Sequence, residues 1–306
     1  MTATARPPEP FEIDSPKREL VPSVSVVVPA FNEAGHIAEG LVALRSALEG
    51  SGWQFEILVI DDGSEDGTGE AAASSGTGAR IVRHRRNRGY GAALKTGIDA
   101  ARFDWVLITD ADGTYPTEPI PELLRRGASN DMVVAARTGK AVRIPLVRRP
   151  AKWVLRILAS YLAGRSLPDI NSGMRLMRKD LVERYRHLLP SGFSFTTTIT
   201  LAAACNDHDV DYVSIDYNAR LGQSKIRAWH AYEFTLLILR TVVFFNPLKV
   251  FIPLGSVAAM AGLAKFAYDV TQNNLSESAI FGLLTAMLLW GVGLLADQNS
   301  RIAMNR

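Results

Sequence analysis

Residues 24–29, 55–60, 80–83, 105–109 and 132–136 form short apolar runs, and between them lie stretches of helical period near 36–48, 65–74, 90–101 and 119–126. Strand-like runs alternating with helices predict an α/β domain built on a mostly parallel, helix-covered sheet. The pattern is less regular from 150 to 220. It predicts a helix at 151–162, a turn at 168–173, a helix near 195–206 and a strand at 210–215. No internal repeat accompanies it.

The last fifth of the chain follows another pattern. In residues 226–246, Trp229, Tyr232, Leu236, Leu239 and Val243 recur at helical spacing. An amphipathic helix is predicted, and the spacing fits a membrane surface and packing on the core equally. Residues 247–270 are long enough to span a bilayer, with Lys249 at one end and Lys265 near the other, where its stem can reach the headgroups. Residues 279–296 carry no charge. At 1.5 Å per residue they cover about 27 Å, close to the roughly 30 Å of bilayer hydrocarbon. A pair of buried core helices competes with this reading, but two such segments in tandem favour a transmembrane hairpin.

Charge adds an orientation. The linker 269–278 holds no Lys or Arg, whereas Arg220, Lys225, Arg227, Arg240 and Lys249 precede the hairpin and Arg301 and Arg306 follow it. The positive-inside rule then predicts a multi-pass membrane protein whose main domain and both termini face the cytoplasm. Residues 1–22 carry five prolines and no apolar run of signal-peptide type, which predicts a disordered lead-in. The expected organisation is thus a lead-in at 1–22, a main domain at 23–225, a juxtamembrane helix at 226–246, a hairpin at 247–296 and a tail at 297–306.

With 306 residues and 47% hydrophobic composition, the chain has enough apolar surface for a real core. A net charge of +3 suggests anionic partners. No nucleic-acid motif accompanies the basic residues, so nucleic acid is not an expected partner. The single cysteine, Cys205, excludes an internal disulfide and a thiolate zinc cluster, and a reducing compartment suits the main domain.

In an open parallel sheet the ligand crevice lies beyond the carboxyl ends of the strands. The polar clusters sit at those ends: Pro29-Ala30-Phe31-Asn32-Glu33, then Asp61-Asp62-Gly63-Ser64-Glu65-Asp66-Gly67-Thr68, then Asp110-Ala111-Asp112-Gly113-Thr114, then Arg137. Two carboxylates one residue apart can hold a hard divalent cation against a diphosphate, or merely cap the next turn. Gly89-Tyr90-Gly91 before a helix lacks the dinucleotide spacing, and tight helix packing explains it better than phosphate approach. His36 and His84 read as surface histidines, and Arg85, Arg86, Asn87, Arg88 and Lys95 as solvated positions.

Pro-x-Phe-Asn-Glu, Asp-Asp-Gly-Ser-x-Asp-Gly-Thr and Asp-Ala-Asp-Gly, in this order, resemble the second family of inverting nucleotide-sugar glycosyltransferases. Asp169-Ile170-Asn171-Ser172-Gly173-Met174-Arg175 and Arg220-Leu221-Gly222-Gln223-Ser224-Lys225 resemble two segments of its polyprenyl-phosphate branch, typified by dolichol-phosphate mannose synthase. The resemblance covers roughly residues 24–226 and implies a GT-A-type nucleotide-diphospho-sugar transferase domain. It implies that Pro29, Phe31, Glu33, Ile60 and Asp62 hold the base and ribose of a UDP- or GDP-linked donor. Asp110, Ala111 and Asp112 are implied at the diphosphate, with Asp112 and Asp110 binding Mg2+ or Mn2+, Asp112 more firmly. Arg137 and Arg148 are implied to grip phosphate, and Arg220 and Lys225 to close the site from the membrane side. Thr114 stands where archaeal mannose synthases have a glutamine ligand, and Thr196-Thr197-Thr198 where an acidic residue is often found. Relatives with such hairpins can form tetramers, so a homo-oligomer is compatible with the resemblance.

Elementary chemistry points the same way. A departing nucleoside diphosphate is stabilised by a metal ion and arginine forks. A lipid phosphate acceptor is already an anionic nucleophile and needs cations, whereas a saccharide hydroxyl needs a carboxylate base. Asp169 is the candidate base, and capping the Asn171-Ser172-Gly173 turn has equal claim on it. The expected activity is metal-dependent inverting transfer of a sugar to a polyprenyl phosphate, dolichyl or undecaprenyl, at the cytoplasmic membrane face, with Asp110, Asp112, Asp169, Arg220 and Lys225 as candidate catalytic residues. A transferase acting on a saccharide hydroxyl in cell-surface polysaccharide synthesis, and a non-catalytic nucleotide-binding membrane partner, remain the alternatives. The chain lacks the Gln-x-x-Arg-Trp segment of processive polymer synthases.

Overall fold

The computed structural model describes residues 22–139, 157, 159–161, 163–192, 194–216, 244–273 and 276–304. Arg148, Arg220 and Lys225 lie outside the described residues, as do the amphipathic positions Trp229 to Val243 and residues 1–21 of the lead-in.

Seven strands form one sheet: Ser23–Ala30 (β1), Gln54–Asp61 (β2), Arg80–Arg83 (β3), Trp105–Ile108 (β4), Met132–Ala136 (β5), Arg175–Arg178 (β6) and Val210–Ser214 (β7). Their order is β3-β2-β1-β4-β6-β5-β7. Every pairing is parallel except those of β6, which runs antiparallel to both β4 and β5. Alternation along β1 divides the core. Val24, Val26 and Val28 pack on one face with Leu41, Leu44 and Leu48 of Ile37–Glu49 (α1) and Leu123 of Ile120–Gly127 (α4). Val27 packs on the other with Leu94 and Ile98 of Tyr90–Ala100 (α3) and with Ile199 of Phe195–Cys205 (α6). The period of two in the strand and the spacing of three to four in the helices are what make both faces apolar.

Strand β1 also sets the crevice. Its ladder with β4 covers Val24 to Val27, whereas its ladder with β2 continues to Ala30. Pro29, which has no N–H to give, falls beyond the last β4 pair, where the ladder asks for none. The sheet order reverses between β1 and β4, and ligand sites in such sheets open at that switch point.

The strands expected at 24–136 and 210–215 and the helices expected near 36–48, 65–74, 90–101, 119–126 and 195–206 are present with shifted ends, including a short helix Thr68–Ala73 (α2), while most of the helix expected at 151–162 lies outside the described residues. Strand β6 and the helix Lys179–Arg184 (α5) after it are the exceptions, since the sequence pattern predicted only a turn before them.

Leu248–Thr271 (α7) and Glu277–Met304 (α8) are both long and apolar enough to cross a membrane. Among the described residues, the exposed large hydrophobics lie on these two helices, save Val42, Ile157 and Tyr161. Helix α8 continues through the expected tail, from 297 to 304. Lys265, expected to reach for headgroups, instead pairs with Asp269 one turn on and lies 5.2 Å from the Tyr268 ring centre. Asp269 also accepts the Ser276 amide at 3.0 Å, which closes the hairpin turn. At the other end, Pro253 deprives the Lys249 carbonyl of its helical donor, and the Tyr161 hydroxyl donates to that carbonyl at 3.3 Å.

The helices cross where Gly262 meets Gly282: a Cβ on Gly262 would stand 2.9 Å from the Leu283 nitrogen. Small residues let membrane-type helices approach this closely. Gly262→Leu should therefore cost about 1–3 kcal/mol by overpacking. Thermal unfolding of the detergent-solubilised full chain should show a lower midpoint, while Val257→Leu, on an exposed position, should leave it in place.

Candidate functional site

Backbone-to-side-chain hydrogen bonds stitch together the loops after β1 and β2. The Asn32 amide donates to Ser64 Oγ at 3.0 Å and the Glu33 amide to Thr68 Oγ1 at 2.8 Å. The Glu65 amide donates to Asn32 Oδ1 at 3.1 Å, and the Ala34 amide to Asp66 Oδ2 at 3.0 Å. Asn32 takes φ 55°, a left-handed conformation that asparagine tolerates better than most residues. Pro29 and Ile60 lie buried inside the strands behind these loops, and Phe31 and Glu33 stand half-exposed at the front.

Asp62 is buried and organises the next loop. Its carboxylate meets His84 Nδ1 at 2.6 Å and accepts the amides of Arg88 at 2.9 Å and Gly89 at 2.8 Å. His84 is thus not a surface histidine: it is buried, with Nε2 2.9 Å from Thr96 Oγ1. Asp62, the expected ribose contact, and His84, expected at the surface, together hold the 84–89 loop in place. A cavity of about 530 Å³ opens beside it, lined by Phe31, Gly63, Ser64, His84, Arg85 and Asn87. Arg85 and Asn87 therefore face a cleft as well as solvent.

Beyond β4, Asp110 sits between two neighbours. The Tyr90 hydroxyl donates to its Oδ1 at 3.0 Å, and a Cβ added to Gly173 would stand 2.7 Å from its Oδ2. Burial, and then the Asp110 charge, push the Tyr90 hydroxyl well above its ordinary pKa, so it remains a donor. Tyr115 supports the Gly173 turn: its oxygen accepts the Gly173 amide at 2.6 Å, and burial pushes its pKa up to about 12. Asp112 accepts both the amide of Thr114, at 3.2 Å, and its hydroxyl, at 2.6 Å. Thr114 is buried, and its hydroxyl holds Asp112 in place. Gly89 and Gly91 pack against the 190–192 backbone, where a Cβ on Gly91 would come within 2.3 Å of the Pro190 oxygen. The packing reading of that glycine run holds.

Arg137 and Asp169 form a bidentate pair, Nε to Oδ2 at 2.8 Å and Nη2 to Oδ1 at 3.0 Å, and the Arg137 amide adds a third bond at 3.0 Å. Asp169 also caps the expected turn through the Asn171 amide at 3.2 Å. Burial opposes its charge, but the Arg137 fork outweighs burial and holds the carboxyl below the ordinary carboxylate range. Arg175 is fully buried, donating to the Thr196 carbonyl at 2.8 Å, to Thr200 Oγ1 at 2.7 Å and to the Ser172 carbonyl. Thr196, Thr197 and Thr198 are buried in α6.

The structure thus brings Asp110, Ala111, Asp112, Arg137 and Asp169 to one end of the sheet, with Phe31 and Glu33 across the crevice. Tyr90, Tyr115 and His84 are the supports that sequence reasoning did not assign. Their signal was faint, since each acts on a loop remote in sequence. The donor set fits a hard cation: Asp110 and Asp112 offer carboxylate oxygens, without thiolate or imidazole, beside a cradle that a Cβ on Gly173 would fill. Magnesium is commonly held by one or two carboxylates together with substrate phosphates.

Residues 25–186 match the family model described as glycosyl transferase family 2, and residues 246–302 match that of the GtrB C-terminal hairpin. Over 275 residues the chain is 29% identical to a prophage bactoprenol glucosyl transferase homolog of Escherichia coli (strain K12), with 88% of each chain covered. Over 305 residues it is 28% identical to an undecaprenyl-phosphate 4-deoxy-4-formamido-L-arabinose transferase of Pseudomonas paraeruginosa, covering 91% of this chain and 85% of that one. Its fold is similar to that of glucosyl-3-phosphoglycerate synthase from Mycobacterium tuberculosis, a structure in complex with Mn2+, UDP and phosphoglyceric acid. The TM-score is 0.55 at 21% identity, over 72% of this chain and 76% of that one.

The Arg137–Asp169 pair has a pH signature. A carboxyl whose pKa is depressed on folding stabilises the fold above its unfolded value of 3.8, and that contribution fades as pH falls through the lower folded value. The wild type should exceed Asp169→Asn in thermal midpoint at about pH 6, and the gap should narrow as pH falls below 3.8. A gap independent of pH in melts of the two proteins would remove the ionic component.

Proposed function

The chain belongs to glycosyl transferase family 2, and we propose that it moves a hexosyl unit from a nucleotide-diphosphate sugar to a polyprenyl phosphate, inverting the anomeric centre at the cytoplasmic face of a membrane. The observation that carries the acceptor class is the state of Asp169. A hydroxyl acceptor needs a base, and the candidate base is held by the Arg137 fork with its pKa lowered, which makes it a poor proton acceptor. A phosphate acceptor needs none. Supporting this reading are the two relatives, named for bactoprenol and for undecaprenyl phosphate. The apolar hairpin would keep the transferase domain beside such a lipid.

The reaction is a single displacement. A lipid phosphate oxygen attacks the anomeric carbon, the bond from that carbon to the diphosphate oxygen breaks, and the nucleoside diphosphate leaves with the electron pair. Asp110 and Asp112 would hold Mg2+ or Mn2+, which when bound would neutralise charge developing on the diphosphate. The Tyr90 hydroxyl and Thr114 fix the two carboxylates before the donor arrives. Arg137 presents its guanidinium at the same end of the sheet, and the resemblance assigns Arg148, Arg220 and Lys225, which lie outside the described residues, to the second anion. Phe31 and Glu33 border the space for the UDP or GDP moiety.

Membranes containing the chain should convert a radiolabelled UDP- or GDP-hexose into organic-soluble product when polyprenyl phosphate and Mg2+ or Mn2+ are supplied. Water-soluble product alone would favour a saccharide acceptor, and no consumption of any donor would remove the transferase reading. Asp112→Asn should lower turnover at least about a hundredfold while the protein stays folded. Gly173→Ala should also lower it, by at least about tenfold, because the new Cβ displaces Asp110. A tag placed after Arg306 should resist protease in sealed right-side-out vesicles, as cytoplasmic termini require.

A further inference from the structure

A second cavity, of about 570 Å³, lies where the transferase domain meets the base of the hairpin. Such a volume is within the roughly 300–1,000 Å³ of small-molecule sites. Arg184 and Asp207, just after or at the ends of α5 and α6, line it from the domain, and Asn246, Asp297, Ser300 and Arg301 from the hairpin base. It is separate from the donor crevice. Asp207 precedes β7, whose first residue pairs with Met132 at the amino end of β5, whereas Arg137 follows the carboxyl end of β5. The five residues of β7 put about 16 Å between the two levels.

The lining points to a ligand. Ser300 borders the cavity, its own Oγ buried and without a hydrogen-bond partner among the described residues. The wall also carries two guanidinium groups and two carboxylates, with Arg301 Nε 2.8 Å from Asp297 Oδ2. A neutral wall bearing both signs suits a zwitterion better than a simple anion.

Height supplies the rest. Asp297 and Arg301 follow the apolar length of α8, so on the hairpin reading, on which this inference rests, they stand at the level of the cytoplasmic headgroups. We propose that this cavity binds the headgroup of an amine-bearing phospholipid of the phosphatidylethanolamine type. Its phosphodiester lies toward Arg184 and Arg301, and its ammonium toward Asp207 and Asp297. A primary ammonium donates hydrogen bonds to carboxylates; a quaternary choline nitrogen donates none, so the site distinguishes the two. The bound lipid fills the seam between domain and hairpin.

Native mass spectrometry of the full chain in mild detergent, with phosphatidylethanolamine, phosphatidylcholine or phosphatidylglycerol added, tests this. Phosphatidylethanolamine should be retained about tenfold better than phosphatidylcholine, a difference that one or two hydrogen bonds can supply. Arg184→Ala with Asp207→Gly, both exposed positions, glycine suiting the left-handed backbone of residue 207 (φ 56°), should bring the two lipids level. Membrane fractionation and sugar transfer should stay unchanged in that variant. Equal retention by the wild type, undiminished retention by the variant, or a preference for phosphatidylglycerol would each overturn the proposal. A wild-type chain found in the soluble fraction before any lipid is added would instead refute the membrane reading.

Discussion

The position of one carboxylate constrains most of the site. Asp110 lies between the Tyr90 hydroxyl, from the start of α3, and the α-carbon of Gly173, from the turn before β6. That turn is held by the Tyr115 oxygen and by Arg175, whose guanidinium also reaches the Thr196 carbonyl in α6. The start of α3 and the turn before β6 therefore meet at a single side chain, with α6 bracing the turn through Arg175. A fully buried arginine bonded mainly to neutral carbonyls and a hydroxyl is expensive to desolvate. Its retention at the centre of the domain makes sense as the means of fixing this geometry before any donor binds.

Much of this was legible in the sequence where order is periodic or local. Strands β1 to β5 announced themselves as apolar runs, α1 by Leu41, Leu44 and Leu48, and the hairpin by two long apolar stretches. The acidic loops were legible because their spacing is specific to the family. Strand β6 was not, because its four residues begin and end with arginine and only tertiary partners make Arg175 a core residue. His84 was hidden for a related reason: it sits in a basic run that looks solvated, and its burial depends on Asp62 and Thr96, distant in sequence. At Asp169 two readings stood open, and what tips the balance is Arg137, whose approach no local pattern encodes.

Polar and apolar surfaces are divided sharply between the two parts of the molecule. The sheet domain buries its hydrophobic residues on both faces, whereas the hairpin turns its large side chains outward and keeps its glycines at the crossing. In water the second arrangement would be unfavourable; in lipid it is the natural one. The same division separates tasks. Charge chemistry is confined to the carboxyl ends of the strands, and the helices supply proximity to a hydrophobic substrate.

Pro253 gives this partition a mechanical side. Because the proline cannot serve the Lys249 carbonyl, that oxygen accepts a hydrogen bond from Tyr161, a residue of the globular part. Tilting the anchor away would forfeit this bond. It therefore tethers anchor to globule at the hairpin's first turn and favours one inclination between them, against which a long flexible lipid would have to bend.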